Sequence, residues 1–555
     1  MDTQRLILLI IFSFSVLMLW EAWQREQRAP PVPQATAPAK PEKAATPPGV
    51  PTPSTPTGTS AGVPTPGQAA VPTTVSAEHP QQELIHVHTD FVEMEVSPIG
   101  GDIVRLRLLK HRDSVDYGKN FVLLSPAYHS EVQSGLIGDD LPNHKTRFTP
   151  AAREYTLKPG QDTLVVRLEA SNAQGIRVIK TYTLKRSSYL IDITEEIVNS
   201  GSSPISAHAY FQVTRDSQPS PGDTFMLKTF HGPAVYTEQD KYRKVSFSDI
   251  DKGKISYPRN ADNGWIAMVQ HYFVTAFAPT GHIPREFYTR KISGNVYSAG
   301  VIVPVPTVAP GQTGKIVMPM YAGPQDLENL KKVAPGLQLV VDYGWLTVLA
   351  APIFWLLNFI HGLVGNWGVS IILLTVLIKL VFYPLSAASY KSMARMKKVT
   401  PRLTKLREQY SNDRAKMNQA MMELYKEEKI NPLGGCLPIV VQIPVFIALY
   451  WVLLGSVELR QAPFFGWITD LSSPDPFYIL PALMMASMFL QTRLNPTPPD
   501  PVQAKIMMIM PFAFGVMFFF FPAGLVLYWL VNNILSIAQQ YQITRMLNRD
   551  PKKSA

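Results

Sequence analysis

One ionisable side chain stands where its surroundings tolerate it least. Lys379 lies within Trp367–Leu385 (WGVSIILLTVLIKLVFYPL), a run otherwise apolar enough to read as a membrane span. An ammonium at bilayer depth costs roughly 2.5–3.5 kcal/mol on insertion scales, so it ordinarily faces a water-filled cavity or a partner. Two accounts are open on these residues alone: Lys379 faces such a cavity, or its stem lies along lipid and lifts the charge to the headgroups. Further polar residues recur in the apolar runs. Thr375 precedes Lys379 by one turn, on the same helical face. Gln442 sits in the middle of Leu437–Leu454, two residues before Pro444, which frees a backbone carbonyl. Asn532 and Asn533 interrupt the last run, Gly524–Ala538. Any one of these is accounted for by interhelical hydrogen bonding worth about 0.6–2 kcal/mol. Taken together with a lysine, they are read more economically as the lining of a wet groove inside a helical bundle.

Other chemistries find less support. No acidic residue lies deep in any apolar run, which argues against a proton- or sodium-coupled pump. The chain has no HExxH, no Cys/His finger and no Gly-x-Ser-x-Gly elbow. His86 and His88 would share one face of a strand, a spacing a metal could use, although scattered surface histidines are the ordinary case. A single cysteine, Cys436, excludes an internal disulfide. Neither a cofactor nor covalent catalysis is expected. The net charge of +10 does not by itself indicate nucleic acid, because the basic residues cluster beside the apolar runs, as a topology signal does.

The elements that must position these residues divide the 555-residue chain sharply. Residues 1–28 contain Leu6–Trp20, an apolar run flanked by Arg5, Arg25 and Arg28 and read as an uncleaved transmembrane anchor. Residues 29–82 are rich in Pro, Ala, Thr and Gly and poor in large apolar side chains, which makes them an extended tether. Over 83–323 the period becomes two, as in Arg177–Leu184, Leu190–Ile197, Trp265–Phe277 and Asn295–Val305, and a single large β-sandwich is expected. Residues 324–365 read as an amphipathic link followed by an interfacial helix. Residues 366–545 hold a core of five spans near 367–386, 436–455, 477–492, 505–521 and 523–540, with a cytoplasmic helical hairpin at 387–430. Thr400-Pro401 is read as a helix start inside that hairpin. Its Met393, Met396, Met417 and Met421 either zip the two arms together or form an adaptable surface for a partner. Residues 546–555 are a basic tail.

Charge sets the expected orientation. Tyr390–Lys429 carries eleven Lys/Arg against five acids, whereas Arg460 is the only basic residue in Ser456–Pro476. The positive-inside rule then places the hairpin and both termini in the cytoplasm and the β-domain outside. One crossing must separate the β-domain from Tyr390, so Trp367–Leu385 crosses and Trp345–Val364 lies in the outer interface. Spans of about 15–17 residues reach only about 25 Å at 1.5 Å per residue, short of a core of about 30 Å, so local bilayer thinning is expected.

Taken in order, Asn366-Trp367-Gly368, Asn431–Pro438 (NPLGGCLP), Gln442–Tyr450 (QIPVFIALY), Ser456–Pro463 (SVELRQAP) and Phe521–Tyr528 (FPAGLVLY) resemble the YidC family of membrane protein insertases. With the anchor, tether and β-domain, the resemblance covers essentially the whole chain and implies a Gram-negative inner-membrane form. It implies a five-helix core with a hydrophilic groove open to cytoplasm and lipid, and a supersandwich-like β-domain in the periplasm. Lys379 stands where many bacterial members carry arginine, so the charge is kept but the planar five-donor fork is not. The resemblance maps Thr375, Gln442, Phe446, Tyr528, Trp529 and Asn532, with Lys379, to groove or substrate-contacting positions. It implies as partners nascent inner-membrane proteins, the Sec translocon, membrane lipids, and the ribosome and signal-recognition targeting factors that meet the hairpin and tail. The expected function is insertion of newly made membrane proteins. An envelope carbohydrate-binding or -modifying protein, using the β-domain as its site, is the alternative from another class, and a small-solute transporter is a third reading.

Overall fold

The computed structural model describes residues 83–138, 140–219, 229–254, 256–410, 413–428, 437–495 and 501–549. The anchor 1–28, the tether 29–82, Ser411-Asn412, Cys436 and the tail beyond Arg549 lie outside them. The described residues form two compact units, one of residues 83–344 with Gly455–Arg460, the other of those within Trp345–Leu454 and 461–549.

The first unit is a β-sandwich. Among the described residues it has a ten-stranded and a nine-stranded sheet. In the smaller sheet Thr313–Pro324 lies antiparallel between Leu190–Asn199 and Phe273–Phe277. Ile176–Lys185 and Thr163–Ser171 extend it beyond Leu190–Asn199. Alternation sets the inward face: Ile191, Ile193 and Ile197 are fully buried, and Glu195 falls in the same phase. Directly opposite Glu195 in the register stands Lys180, also fully buried. Its ammonium lies 3.6 Å from the Glu195 carboxylate and donates to the carbonyls of Gly100 (2.6 Å) and Ser134 (2.9 Å). The Ser134 hydroxyl donates to Glu195 at 2.8 Å. Gly100 and Gly101, with φ of +74° and +67°, let the backbone come this close, since a Cβ on Gly101 would sit 3.0 Å from the Lys180 stem. His86 and His88 point outward on Ile85–His88, and no cluster of three metal-binding side chains occurs among the described residues.

A buried imidazole, His144, and a half-buried one, His111, give this unit an acid-side instability. Burial, with Lys145 and Lys180 nearby, pushes His144 down to about 4, and its Nδ1 lies 2.5 Å from the Tyr210 hydroxyl. Burial and the Arg460 guanidinium push His111 down to about 4 as well. Both sit below the ~6.5 of an unfolded imidazole, so the unfolded chain takes up these protons first. Their contribution is complete above pH ~6.5 and is lost as pH falls toward 4. Burial raises Asp102 and Glu458, which act in the opposite sense, so the informative reading is a difference. On going from pH 7.5 to pH 5, the β-unit of the His111→Gln/His144→Gln protein should lose less melting temperature than wild type, by about 5 °C. Equal losses would contradict the assignment.

Short helices α1 (Phe247–Asp251) and α2 (Leu327–Val333) belong to the β-unit; the helical unit contains α3 (Thr347–Val364), α4 (Trp367–Val381), α5 (Tyr383–Gln409), α6 (Arg414–Glu427), α7 (Leu437–Gly455), α8 (Ile479–Leu494), α9 (Pro501–Phe518) and α10 (Ala523–Arg549). The Asn366 side chain caps α4 by accepting from the Val369 N–H at 3.0 Å. Gly368 is required next to it, because a Cβ there would meet the Phe464 ring at 2.0 Å. That accounts physically for the Asn366-Trp367-Gly368 motif. In the loop before α8, the buried Asp475 carboxylate accepts from Trp467 Nε1 (2.9 Å), Phe477 N (3.0 Å) and Leu480 N (2.7 Å), anchoring the start of that helix.

Several expected boundaries need correction. The helix that opens the expected first span, 367–386, stops at Val381, and the chain bends by 68° into α5. Pro384 lacks an N–H and crowds the carbonyl of Leu380, which breaks the helix there. The hairpin arm therefore begins at Tyr383, not 387. Thr400-Pro401 does not start a helix. It lies inside α5, with the Thr400 hydroxyl donating to Met396 O at 3.0 Å. Val399 and Leu403 pack on Leu424, with Met396, Leu406, Met421 and Tyr425 around them, and α5 runs on without a break through the proline. Met396 and Met421 thus join the two arms. The helix that holds the expected last span, 523–540, continues to Arg549, having neither glycine nor proline after Gly524. The run expected to reach Phe521 ends as α9 at Phe518. Among the described residues α3 alone is long and apolar enough to cross a membrane unbroken, so length does not separate a span from the expected interfacial helix.

Candidate functional site: a lysine-bearing polar cavity

The 68° bend after α4 leaves Lys379 beside an open-sided cavity of about 300 Å³ within the helical unit. Helix periodicity selects its walls. From α10 come Tyr528, Asn532 and Ser536, at i, i+4 and i+8, with Asn533 beside them. From α7 come Gln442 and Phe446, again one turn apart, and Ile443. The first turns of α5 supply Ser386, Ser389, Tyr390 and Met393, and the end of α8 supplies Gln491 and Asn495. The lining is mixed, with Lys379, serines, asparagines and glutamines beside Met393, Ile443 and Phe446.

Lys379 is only 5% exposed, and its ammonium donates to Ser536 Oγ at 2.7 Å. Ser536 in turn donates to the Asn532 carbonyl at 2.7 Å, and Gln442 Nε2 donates to Asn532 Oδ1 at 3.2 Å. Three helices are thus tied by one polar chain. Asn533 donates to Ser487 at 2.8 Å, and Gln540 to Asn495 at 3.1 Å, which extends the polar seam between α8 and α10. No carboxylate among the described residues lies within ion-pair distance of Lys379. The charge is oriented without being neutralised, so the cavity can attract a negative group.

Of the seven residues singled out from the sequence, Lys379, Gln442, Phe446, Tyr528 and Asn532 converge on this cavity. Trp529 stacks on Phe446 at 4.8 Å and so supports the wall from behind. Thr375 does not line it: its hydroxyl folds back to the Ile371 carbonyl at 2.6 Å, within α4. Sequence reasoning did not single out Ser536, Ser386, Ser389, Tyr390, Gln491 or Asn495. Ser536 carried a signal, lying one turn beyond Asn532 on the same face. The α5 hydroxyls did not, because a straight span puts Ser386 at its very end and Ser389 and Tyr390 beyond it.

These features define a class: an apolar helical unit that holds one un-neutralised cation in a polar groove and carries a large β-sandwich. Residues 84–356 match the family model described as YidC periplasmic domain, and residues 359–550 match 60Kd inner membrane protein. A protein of Aromatoleum aromaticum named Membrane protein insertase YidC is 55% identical over 553 residues, covering 99% of each chain. Proteins of the same name from Dechloromonas aromatica (55% identical, 100% of this chain and 99% of that one) and Nitrosomonas europaea (54%, 100% and 92%) are similarly close. The chain belongs to the YidC family of membrane protein insertases. It is an inner-membrane protein whose function is membrane protein insertion, and the carbohydrate-protein alternative is not favoured.

Proposed function

We propose that the cavity around Lys379 receives the hydrophilic segment of a nascent inner-membrane protein and lowers the barrier to its transfer across the bilayer. The observation that carries this reading is the buried, un-neutralised ammonium held at the head of a polar chain through Ser536 and Asn532. A polar segment entering such a site exchanges hydration for groove hydrogen bonds, and its acidic residues meet a positive charge in a medium of low dielectric. Helix α4, with 15 residues, spans about 22 Å at 1.5 Å per residue, which supports a thinned bilayer of less than about 30 Å at this point. The apolar flank of Ile443 and Phe446 offers the following hydrophobic segment a lateral way into lipid.

Charge distribution supports the topology: cytoplasmic termini and hairpin, a periplasmic β-sandwich, an N-terminal anchor and five core crossings. The basic hairpin and tail suit them to meet the ribosome, targeting factors and anionic lipid, with the Sec translocon as a partner for larger clients. Deleting Glu83–Pro319 separates the roles of the two units. Insertion of a single-span client in depleted cells, scored by protease protection, should survive this deletion. Complete loss with normal accumulation of the shortened protein would return the activity to the β-unit.

A further inference from the structure

Lysine is poorly suited to staying in a cavity, because its flexible stem lets the ammonium migrate to nearby headgroups. Here the escape route is short: α4 ends two residues after Lys379, and the chain then bends away. We infer that Ser536 is the positioning residue that keeps the Lys379 ammonium inside the cavity, and that it thereby sets the preference of the groove for acidic client segments. The inference rests on the groove reading given above.

The hydrogen-bond directions carry the argument. Ser536 has one hydroxyl proton, which it donates to the Asn532 carbonyl at 2.7 Å, and Tyr390 hydrogen-bonds to the same side chain. An ammonium has no acceptor, so toward Lys379 the Ser536 oxygen accepts, at 2.7 Å, with its side chain buried. The side-chain oxygen of Asn532 is already engaged by Gln442 at 3.2 Å. An ammonium has three donors, so holding one on Ser536 leaves the others for the cavity. A neutral acceptor also differs in kind from an acid, which would hold the lysine more tightly but cancel its charge. Serine on the facing helix meets both demands: it fixes the position and leaves the charge intact.

The test uses the full-length protein in depleted cells and two versions of one client, differing only in whether the translocated segment carries two aspartates or two asparagines. Ser536→Ala should slow insertion of the aspartate client about fivefold, the scale of one ordinary hydrogen bond, and slow the asparagine client distinctly less. Ser536→Thr, which keeps the oxygen, should restore the aspartate client. If Ser536→Ala does not accumulate in the membrane, Ser536→Cys, similar in size but a weak acceptor, carries the same expectation. Equal slowing of both clients, no slowing of either, or failure of threonine to rescue would each overturn the inference. Lys379→Ala run alongside separates the two levels. If it slows the aspartate client while Ser536→Ala does not, only the positioning role falls; if it has no effect, the groove reading falls.

Discussion

Lys379→Ala is expected to slow insertion of clients with an acidic translocated segment by at least tenfold, while Lys379→Arg retains most of the activity. The ammonium is buried and faces no acid among the described residues, so its attraction for an incoming carboxylate is not cancelled by them. Two unit charges about 4 Å apart in an effective dielectric of about 20 attract by about 4 kcal/mol. Hydration of an open-sided cavity reduces this, yet a third of it still corresponds to about tenfold in rate. Arginine keeps the positive charge, and its guanidinium can also donate to Ser536 Oγ. Its planar fork is larger and its donors are fixed in direction, so a modest loss is expected rather than none. Alanine removes both the charge and the donor that Ser536 accepts from. Pulse-labelling with protease protection of the client in depleted cells measures the effect. Full activity of the alanine protein, accumulating at the wild-type level, would remove the charge from the mechanism.

Lys180→Met should destabilise the β-unit by about 3–5 kcal/mol, since it strips the paired cation from a buried carboxylate. Glu195 would retain the Ser134 hydroxyl at 2.8 Å, while the carbonyls of Gly100 and Ser134 would lose a donor. For a unit of this size the loss corresponds to about 10 °C in melting temperature. Removing both charges is a different perturbation. Lys180→Met combined with Glu195→Leu replaces the pair by apolar groups and should recover much of the stability, because the desolvation cost of both ions disappears. Thermal unfolding of the full-length protein, followed by hydrogen exchange in Leu190–Asn199 and Ile176–Lys185, distinguishes these results. A double variant as unstable as Lys180→Met would show that the polar network itself, rather than the isolated charge, holds the sheets together.

These two residues also mark what could be read before the structure. The β-strands Ile176–Lys185 and Leu190–Asn199 were legible because a period of two survives over ten residues in each. Period gives the phase of a strand but not its register, so the pairing of Glu195 with Lys180 was hidden. Lys379 was legible for a different reason: a charge in an apolar run is costly enough to stand out alone. Ser536 carried only the weaker signal of lying one turn beyond Asn532, and its pairing with Lys379 shows only once the facing helix is known. The bend after Val381 was written in Pro384, yet the apolar run continued through it and masked the break. At Pro401 the local signal pointed to a helix start, and packing between the hairpin arms overrode it.

Contact between client and cavity is the central claim, and site-specific photocrosslinking to a stalled nascent chain tests it most directly. A photoreactive residue placed at Gln442 or Phe446, both on the cavity wall, should give adducts with the translocating segment. The same residue at Ile509, 62% exposed on α9, or at Val165 on the surface of the β-unit should give none. Adducts of equal yield from all four positions, or from Ile509 and Val165 alone, would contradict passage through the Lys379 cavity.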